Sequence, residues 1–140
     1  MGRYDLTMVK QTFDVDGYWK VVVFYNMDYH FFNNAKQELI NIDASNWAID
    51  ELYDMMFTGK AKAVTFSNLL EHTSIVIFNV HESKADYINS IVHEAEHVKQ
   101  AMLKAYQVED DGEPPAYTIG YLISQMYLVF QHLICDCEDS

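Results

Sequence analysis

Residues 83–106 read SKADYINSIVHEAEHVKQAMLKAY, and their apolar side chains recur at the spacing of one face of a helix. Ser83 is a typical N-cap residue, and the run Asp110-Asp111-Gly112 breaks the pattern. We therefore predict one long helix that begins after Ser83 and extends to about Tyr106. The stripe predicted to face the core is centred near Ala95 and consists of Ile88, Ile91, Val92, Ala95, Val98, Met102 and Ala105.

Within this helix, residues 93–97 read HEAEH, which is the pattern H-E-x-x-H. Two histidines four residues apart project side by side from a helix, about 5–6 Å apart at Cβ, so both can bind one Zn²⁺. Glu94 is placed to take a proton from a water activated by that metal. His93 and His97 lie about 160° around the helix from Ala95, away from the core. The alternative is a solvated helix face that binds nothing.

A catalytic zinc site uses three protein ligands and keeps one position open for water. Glu113 is the most attractive third ligand, because it lies where the next helix is predicted to begin. The end of a straight helix at Tyr106 lies about 13 Å beyond His97, so Glu113 reaches the metal only if the connection folds back. The alternatives that sequence proximity leaves open are Glu109, Asp110, Asp111, His81 and His132.

The rest of the chain predicts a small sheet and further helices. The predicted strands are residues 6–13 and 18–26, which flank a hairpin turn at Asp16 and Gly17, and residues 61–66 and 73–80. The predicted helical segments are a turn at 35–40, a helix at 46–57 capped by Ser45 and ended by Gly59, and a final helix that begins at Pro114 and Pro115 and extends to about Ile134. This order predicts a single α+β domain over residues 1–140 with a mostly antiparallel sheet.

Composition and charge narrow the class of protein and the kind of partner. Half of the 140 residues are hydrophobic, which suits a single packed domain. The net charge of −12 argues against nucleic-acid binding and favours a basic partner or substrate segment. Only Cys135 and Cys137 are present, which favours a reducing compartment, although with His132 they could form a thiol metal site.

The ends of the chain predict a cytoplasmic protein that does not bind a membrane. Residues 1–10 carry charges and lack the apolar region of a signal peptide. Residues 117–135 have no formal charge, but they include polar side chains and reach only the lower edge of a spanning length. We interpret them as a buried helix. The sequence predicts no oligomeric state.

The motif and the helix that follows it resemble a known family. H-E-x-x-H at His93 to His97, followed by Glu113-x-x-Ala116, resembles the gluzincin branch of the zincin-fold metallopeptidases. The chain is most similar to minimal members, the ImmA/IrrE-type peptidases and small phage-encoded zincin-like proteins, and residues 116–122, AYTIGYL, look like the phage-type second helix. The resemblance covers mainly residues 73–135. It implies a small sheet whose edge strand borders the cleft, Zn²⁺ held by His93, His97 and Glu113, and Glu94 as general base.

Two functions follow as expectations. The first is hydrolysis of a peptide or protein substrate by a zinc metallopeptidase. In it, Tyr117 lies four residues after Glu113 and donates a hydrogen bond to the oxyanion, although a core aromatic is the simpler interpretation of this tyrosine. Residues 73–80, predicted to be an exposed edge strand, would bind an extended peptide as an added strand; the alternative is an ordinary edge strand that binds nothing. The second is a non-catalytic binding protein of phage or mobile-element type that keeps the zincin scaffold, with a structural metal or none.

Overall fold

A computed structural model describes residues 8–58 and 61–133. They form a four-stranded mixed sheet and four α-helices, so the predicted α+β class is confirmed. The elements in chain order are β1 (Val9–Val15), β2 (Trp19–Met27), α1 (Phe32–Asn41), α2 (Asn46–Thr58), β3 (Ala63–Asn68), β4 (Thr73–Asn79), α3 (Lys84–Tyr106) and α4 (Glu113–Phe130), with a 3₁₀ turn at Tyr29–Phe31 before α1.

The strand order is β1-β2-β4-β3, and two of the three pairings are antiparallel. Asp16 and Gly17 both adopt positive φ in the turn between β1 and β2, a conformation that these two residue types tolerate best. The central pair, β2 and β4, is parallel, so the sheet is mixed. β4 is therefore an interior strand, and the prediction that residues 73–80 offer a free edge is wrong. Within the described ranges, the strand with the free edge beside α3 is β3.

Helices cover both faces of the sheet. Successive side chains of a strand point to opposite faces, so β2 contributes Val21 and Val23 to one core and Val22 and Phe24 to the other. The first core is shared with α3 and α4, and the second with α1 and α2. Burial on both faces explains why β2 is a continuous apolar run, as is usual for an interior strand.

The helix α3 begins and ends close to the predicted positions. The Ser83 hydroxyl accepts a hydrogen bond of 3.1 Å from the Asp86 backbone N–H, and Gln107 ends the helix in a left-handed conformation with φ of 56°. The buried stripe includes four of the residues predicted for it, Ile91, Ala95, Val98 and Met102.

Two members of the predicted stripe are exposed instead, Ile88 at 37% and Val92 at 44%. Compared with the predicted stripe, the buried face of α3 is rotated so that it includes Glu94, which is only 5% exposed. The reason is that α3 contacts β3 on one side and α4 on the other, so it is covered from two directions rather than one. A single-sided helical wheel cannot anticipate this second contact.

The helix α4 begins at Glu113 with two prolines in its first turn, as predicted, and ends at Phe130. Ile134, the predicted end, lies outside the described residues, as do Gly59, Cys135 and Cys137. In the parts of the chain that the structure describes, no helix combines the length and the apolar character needed to cross a membrane.

Candidate functional site

The two histidines of the motif converge on one point above α3. Both side chains are exposed, whereas Ala95 on the opposite face is fully buried, as the spacing predicts. The Nε2 atoms of His93 and His97 lie 3.2 Å apart, and the ring centroids are separated by 4.8 Å. Two nitrogens on one tetrahedral zinc, each 2.0–2.1 Å from the metal, would be about 3.3 Å apart. The pair therefore has the separation that a shared metal requires.

These histidines lie in a cleft of about 630 Å³ between α3 and β3. The cleft is lined from the sheet side by alternate residues of β3, Ala63, Thr65 and Ser67 among them, and from α3 by both histidines and Glu94. Glu51 of α2 also lines it. The remaining lining residues are Ala61, Val64, Leu69, Gln100, Ala101 and Lys104.

Glu94 is fixed in this cleft by a hydrogen bond from the sheet. The Thr65 hydroxyl donates to Oε1 of Glu94 at 2.8 Å. Oε2 of Glu94 makes no hydrogen bond to another described residue. Because every fully buried side-chain oxygen of the described residues has a hydrogen-bond partner, Oε2 must be accessible, and the cleft is where it is exposed. One carboxylate oxygen is thus held while the other can accept a proton from a molecule in the cleft.

The cleft runs along the unpaired edge of β3. The Asn79 N–H donates to the Lys62 carbonyl at 2.9 Å, which fixes the alternation of hydrogen-bonded pairs between β3 and β4. By that alternation, the backbone N–H and C=O groups of Val64, Phe66 and Asn68 form hydrogen bonds with β4. The backbone N–H and C=O groups of the lining residues Ala63, Thr65 and Ser67 point outward to the open edge.

The structure does not bring Glu113 to the histidine pair. The helix α3 continues unbroken to Tyr106, and Glu113 begins α4 without lining the cleft. Asp110, an alternative ligand, forms an ion pair of 3.0 Å with Lys99, which also contacts Glu96 at 2.9 Å. Across residues 8–58 and 61–133, no three His, Cys, Asp or Glu side chains form a group that could hold a metal ion.

The other proposed ligands lie elsewhere. Glu109, Asp111 and His132 are exposed and do not line the cleft. The thiol site predicted from His132 and the two cysteines falls largely outside the described residues.

His81 is a satisfied core residue. Its Nδ1 donates to the Asn79 carbonyl at 2.7 Å, its Nε2 lies 2.8 Å from the Ser90 hydroxyl, and its ring stacks on Tyr87 at 4.3 Å. Burial lowers the pKa of His81 below its ordinary value of 6.5, which favours the neutral imidazole. In that state Nε2 accepts the hydrogen bond from Ser90.

Tyr117 lies outside the cleft that holds Glu94. It is 75% exposed and borders a separate cavity with Val15 and Asp16. The interpretation of Tyr117 as a core aromatic is therefore wrong, because the exposed face of α4 carries it. Its predicted role as an oxyanion donor is untested and stays a prediction.

Two residues that line the cleft, Thr65 and Glu51, were not predicted from the sequence. Thr65 reads as an ordinary polar position in an alternating strand, and Glu51 as one of several acidic residues on α2. Their only distinguishing property is the cleft that they share with Glu94, which long-range packing creates.

Comparison of this chain with models of protein families, with curated proteins and with solved structures finds no match in any of the three.

Proposed function

We propose that this protein is a zinc-dependent metallopeptidase that hydrolyses a peptide bond in the cleft between α3 and β3. The observation that carries the proposal is the 3.2 Å separation of the His93 and His97 Nε2 atoms beside a carboxylate with one accessible oxygen. A free edge strand alongside supports it, because the resemblance to zincins implies such an edge at the cleft.

The two histidines would hold the metal through their neutral Nε2 lone pairs, the usual mode of imidazole ligation. When bound, zinc supplies Lewis-acid polarisation of the scissile carbonyl and a more acidic water. Glu94 takes the proton of the attacking water and returns it to the leaving amine. Thr65 is a positioning residue, since its hydroxyl holds Oε1 and leaves Oε2 for the proton.

The free edge of β3 would bind the substrate in extended form. The outward N–H and C=O groups of Ala63, Thr65 and Ser67 offer hydrogen bonds to a peptide backbone, as in strand addition. This arrangement transfers the predicted role of residues 73–80 to β3, because β4 is interior. A peptide added there lies alongside the histidine pair.

Glu113 stays the proposed third ligand, on condition that residues 107–112 rearrange. In the observed conformation Asp110 is tied to Lys99, so that rearrangement would break an ion pair of 3.0 Å. Metal binding to three ligands would supply the free energy for this movement.

A second candidate is a non-catalytic binding protein on the same scaffold. The 3.2 Å separation of the imidazoles is also the length of an N–H···N hydrogen bond, which satisfies one nitrogen with the other in the absence of metal. The edge of β3 would then capture a peptide without cleaving it.

Metal content and cleavage separate the two candidates. We expect the protein, purified without chelators and dialysed with zinc, to retain about one zinc ion per chain. His93→Ala should lose it, whereas His30→Ala, at an exposed histidine whose Nδ1 lies 3.1 Å from Asp28 and which does not line the cleft, should retain it. Absence of stoichiometric zinc in the unaltered protein would contradict the proposed site.

Glu94→Gln tests the chemistry separately from the metal. We expect this variant to keep its zinc and to lose cleavage of a mixed peptide library, because an amide cannot accept the proton of water. Full cleavage by Glu94→Gln would exclude Glu94 as the base. Zinc retention without cleavage by either protein would select the binding protein.

A further inference from the structure

Glu51 enters the cleft from the opposite side of the sheet. The helix α2 packs on the face away from α3, yet the half-buried Glu51 side chain lines the same cleft as His93 and His97. Its carboxylate has no hydrogen-bond or ion-pair partner among the described residues. An unpaired carboxylate in a cleft is available to a cation on a bound molecule.

A hydrogen-bonded contact and a shared cavity show which part of β3 lies beside Glu51. Near the end of α2, the Met55 carbonyl accepts a hydrogen bond of 3.3 Å from the Asn79 side chain, which also bonds to the Ala61 carbonyl just before β3. The start of α2 shares a second cavity with Phe66 and Asn68, at the other end of β3. The helix and the strand therefore run in opposite directions, which places Glu51 opposite the middle of β3.

The middle of β3 is also the level of the proposed chemistry. The hydrogen bond from Thr65 to Glu94 marks this level on the α3 side. Glu94 and Glu51 thus flank the same point of the open edge, one from each face of the sheet. A peptide added to this edge has side chains that alternate between the two faces. A residue that points to Glu94 on one face has neighbours that point to Glu51 on the other.

We propose that Glu51 selects substrates with a lysine or arginine side chain at a position flanking the scissile bond. The proposal rests on the peptidase function proposed above. A long cationic side chain on the α2 face would bring its charge to the carboxylate. The chain as a whole carries a net charge of −12, which, like Glu51, attracts basic peptide segments.

Cleavage-site profiling tests this specificity. The probe is a peptide library made by cleavage after glutamate, which keeps lysine and arginine internal, and the cut sites are read by mass spectrometry. We expect basic residues at one flanking position to be cut about fivefold faster than neutral ones, the size of one partly exposed ion pair. Glu51→Gln should abolish the preference and Glu51→Lys should favour acidic residues. Asp50→Asn, the same charge change on the exposed side of α2, should leave the preference intact.

A binding measurement keeps this proposal separate from hydrolysis. The probes are two fluorescein-labelled octapeptides of alternating Ala and Val with one central Lys or, as the neutral match, one central Met. We expect the Glu94→Gln protein to bind the Lys probe about fivefold more tightly, and Glu51→Gln in that background to remove the difference.

Each outcome decides one proposal. Lysine preference that depends on Glu51, with no cleavage by the unaltered protein, supports the role of Glu51 and overturns the peptidase. Cleavage without a basic preference, a preference that survives Glu51→Gln, or no binding of either probe overturns the role of Glu51.

Discussion

The hydrogen bond from Thr65 to Glu94 yields a prediction of stability that can be worked from its geometry. Thr65→Val removes the donor and preserves the branched shape that suits a strand. Hydrogen bonds to charged groups contribute about 1.5–3 kcal/mol. Because Glu94 is open to the cleft through Oε2, water can replace part of the lost bond. We therefore expect a loss of about 1 kcal/mol in the free energy of unfolding, below the low end of that range.

Urea unfolding followed by tryptophan fluorescence measures this loss, because Trp19 is completely buried in the first core. With a slope of about 2 kcal/mol per molar urea, the midpoint should fall by about 0.5 M. Thr12→Val, at an exposed position of β1, is the control for strand propensity and should change stability by less than about 0.5 kcal/mol.

A double-mutant cycle with Glu94→Ala assigns the loss to the contact. The coupling free energy between Thr65 and Glu94 should be about 1 kcal/mol. An equal cost of Thr65→Val with and without Glu94 would refute the inference that the strand holds this carboxylate in place.

Three further changes probe the surroundings of the site. Burial lowers the pKa of His81, so the stability that its neutral form contributes is complete above pH 6.5 and is lost as the pH falls from there through the folded-state pKa. The urea midpoint of His81→Gln should therefore change less between pH 7.5 and 5 than the midpoint of the unaltered protein. Ser74→Ala removes the acceptor of the buried Trp19 indole N–H and should cost about 2 kcal/mol, whereas Ser67→Ala, at the exposed partner of the same hydroxyl, should cost less than 1 kcal/mol by thermal unfolding. Lys99→Met breaks two ion pairs, so limited proteolysis should cut the α3–α4 connection faster, and an unchanged rate would show that these pairs do not hold it.

Local signals explain which elements could be predicted. Ser83 and the apolar spacing after it define α3, because an N-cap and a helical stripe act within a few residues. The edge position of β3 was available in principle, since Val64 and Phe66 alternate with polar residues, whereas β4 is a continuous apolar run typical of an interior strand. Strand order itself depends on pairing between distant segments, which no local pattern specifies.

The same division applies to the candidate site. His93 and His97 meet because their spacing and the helix geometry suffice to bring them together. Thr65 and Glu51 reach the cleft only through the packing of β3 and α2, so their residue types carry no signal. The predicted ligand Glu113 depended on the path of the connection after α3, which carries the Gln107 cap and the ion pair between Lys99 and Asp110 in the structure.

The open edge of β3 also bears on the behaviour of concentrated solutions of this protein. An unpaired strand edge can add to the same edge of another copy, which is a common route to aggregation. The net charge of −12 opposes that approach, but salt confines the repulsion to about 10 Å at 0.1 M ionic strength. Self-association should therefore increase with both protein and salt concentration. A peptide bound at Ala63, Thr65 and Ser67 would occupy the same hydrogen bonds and act as a stabiliser of the monomer.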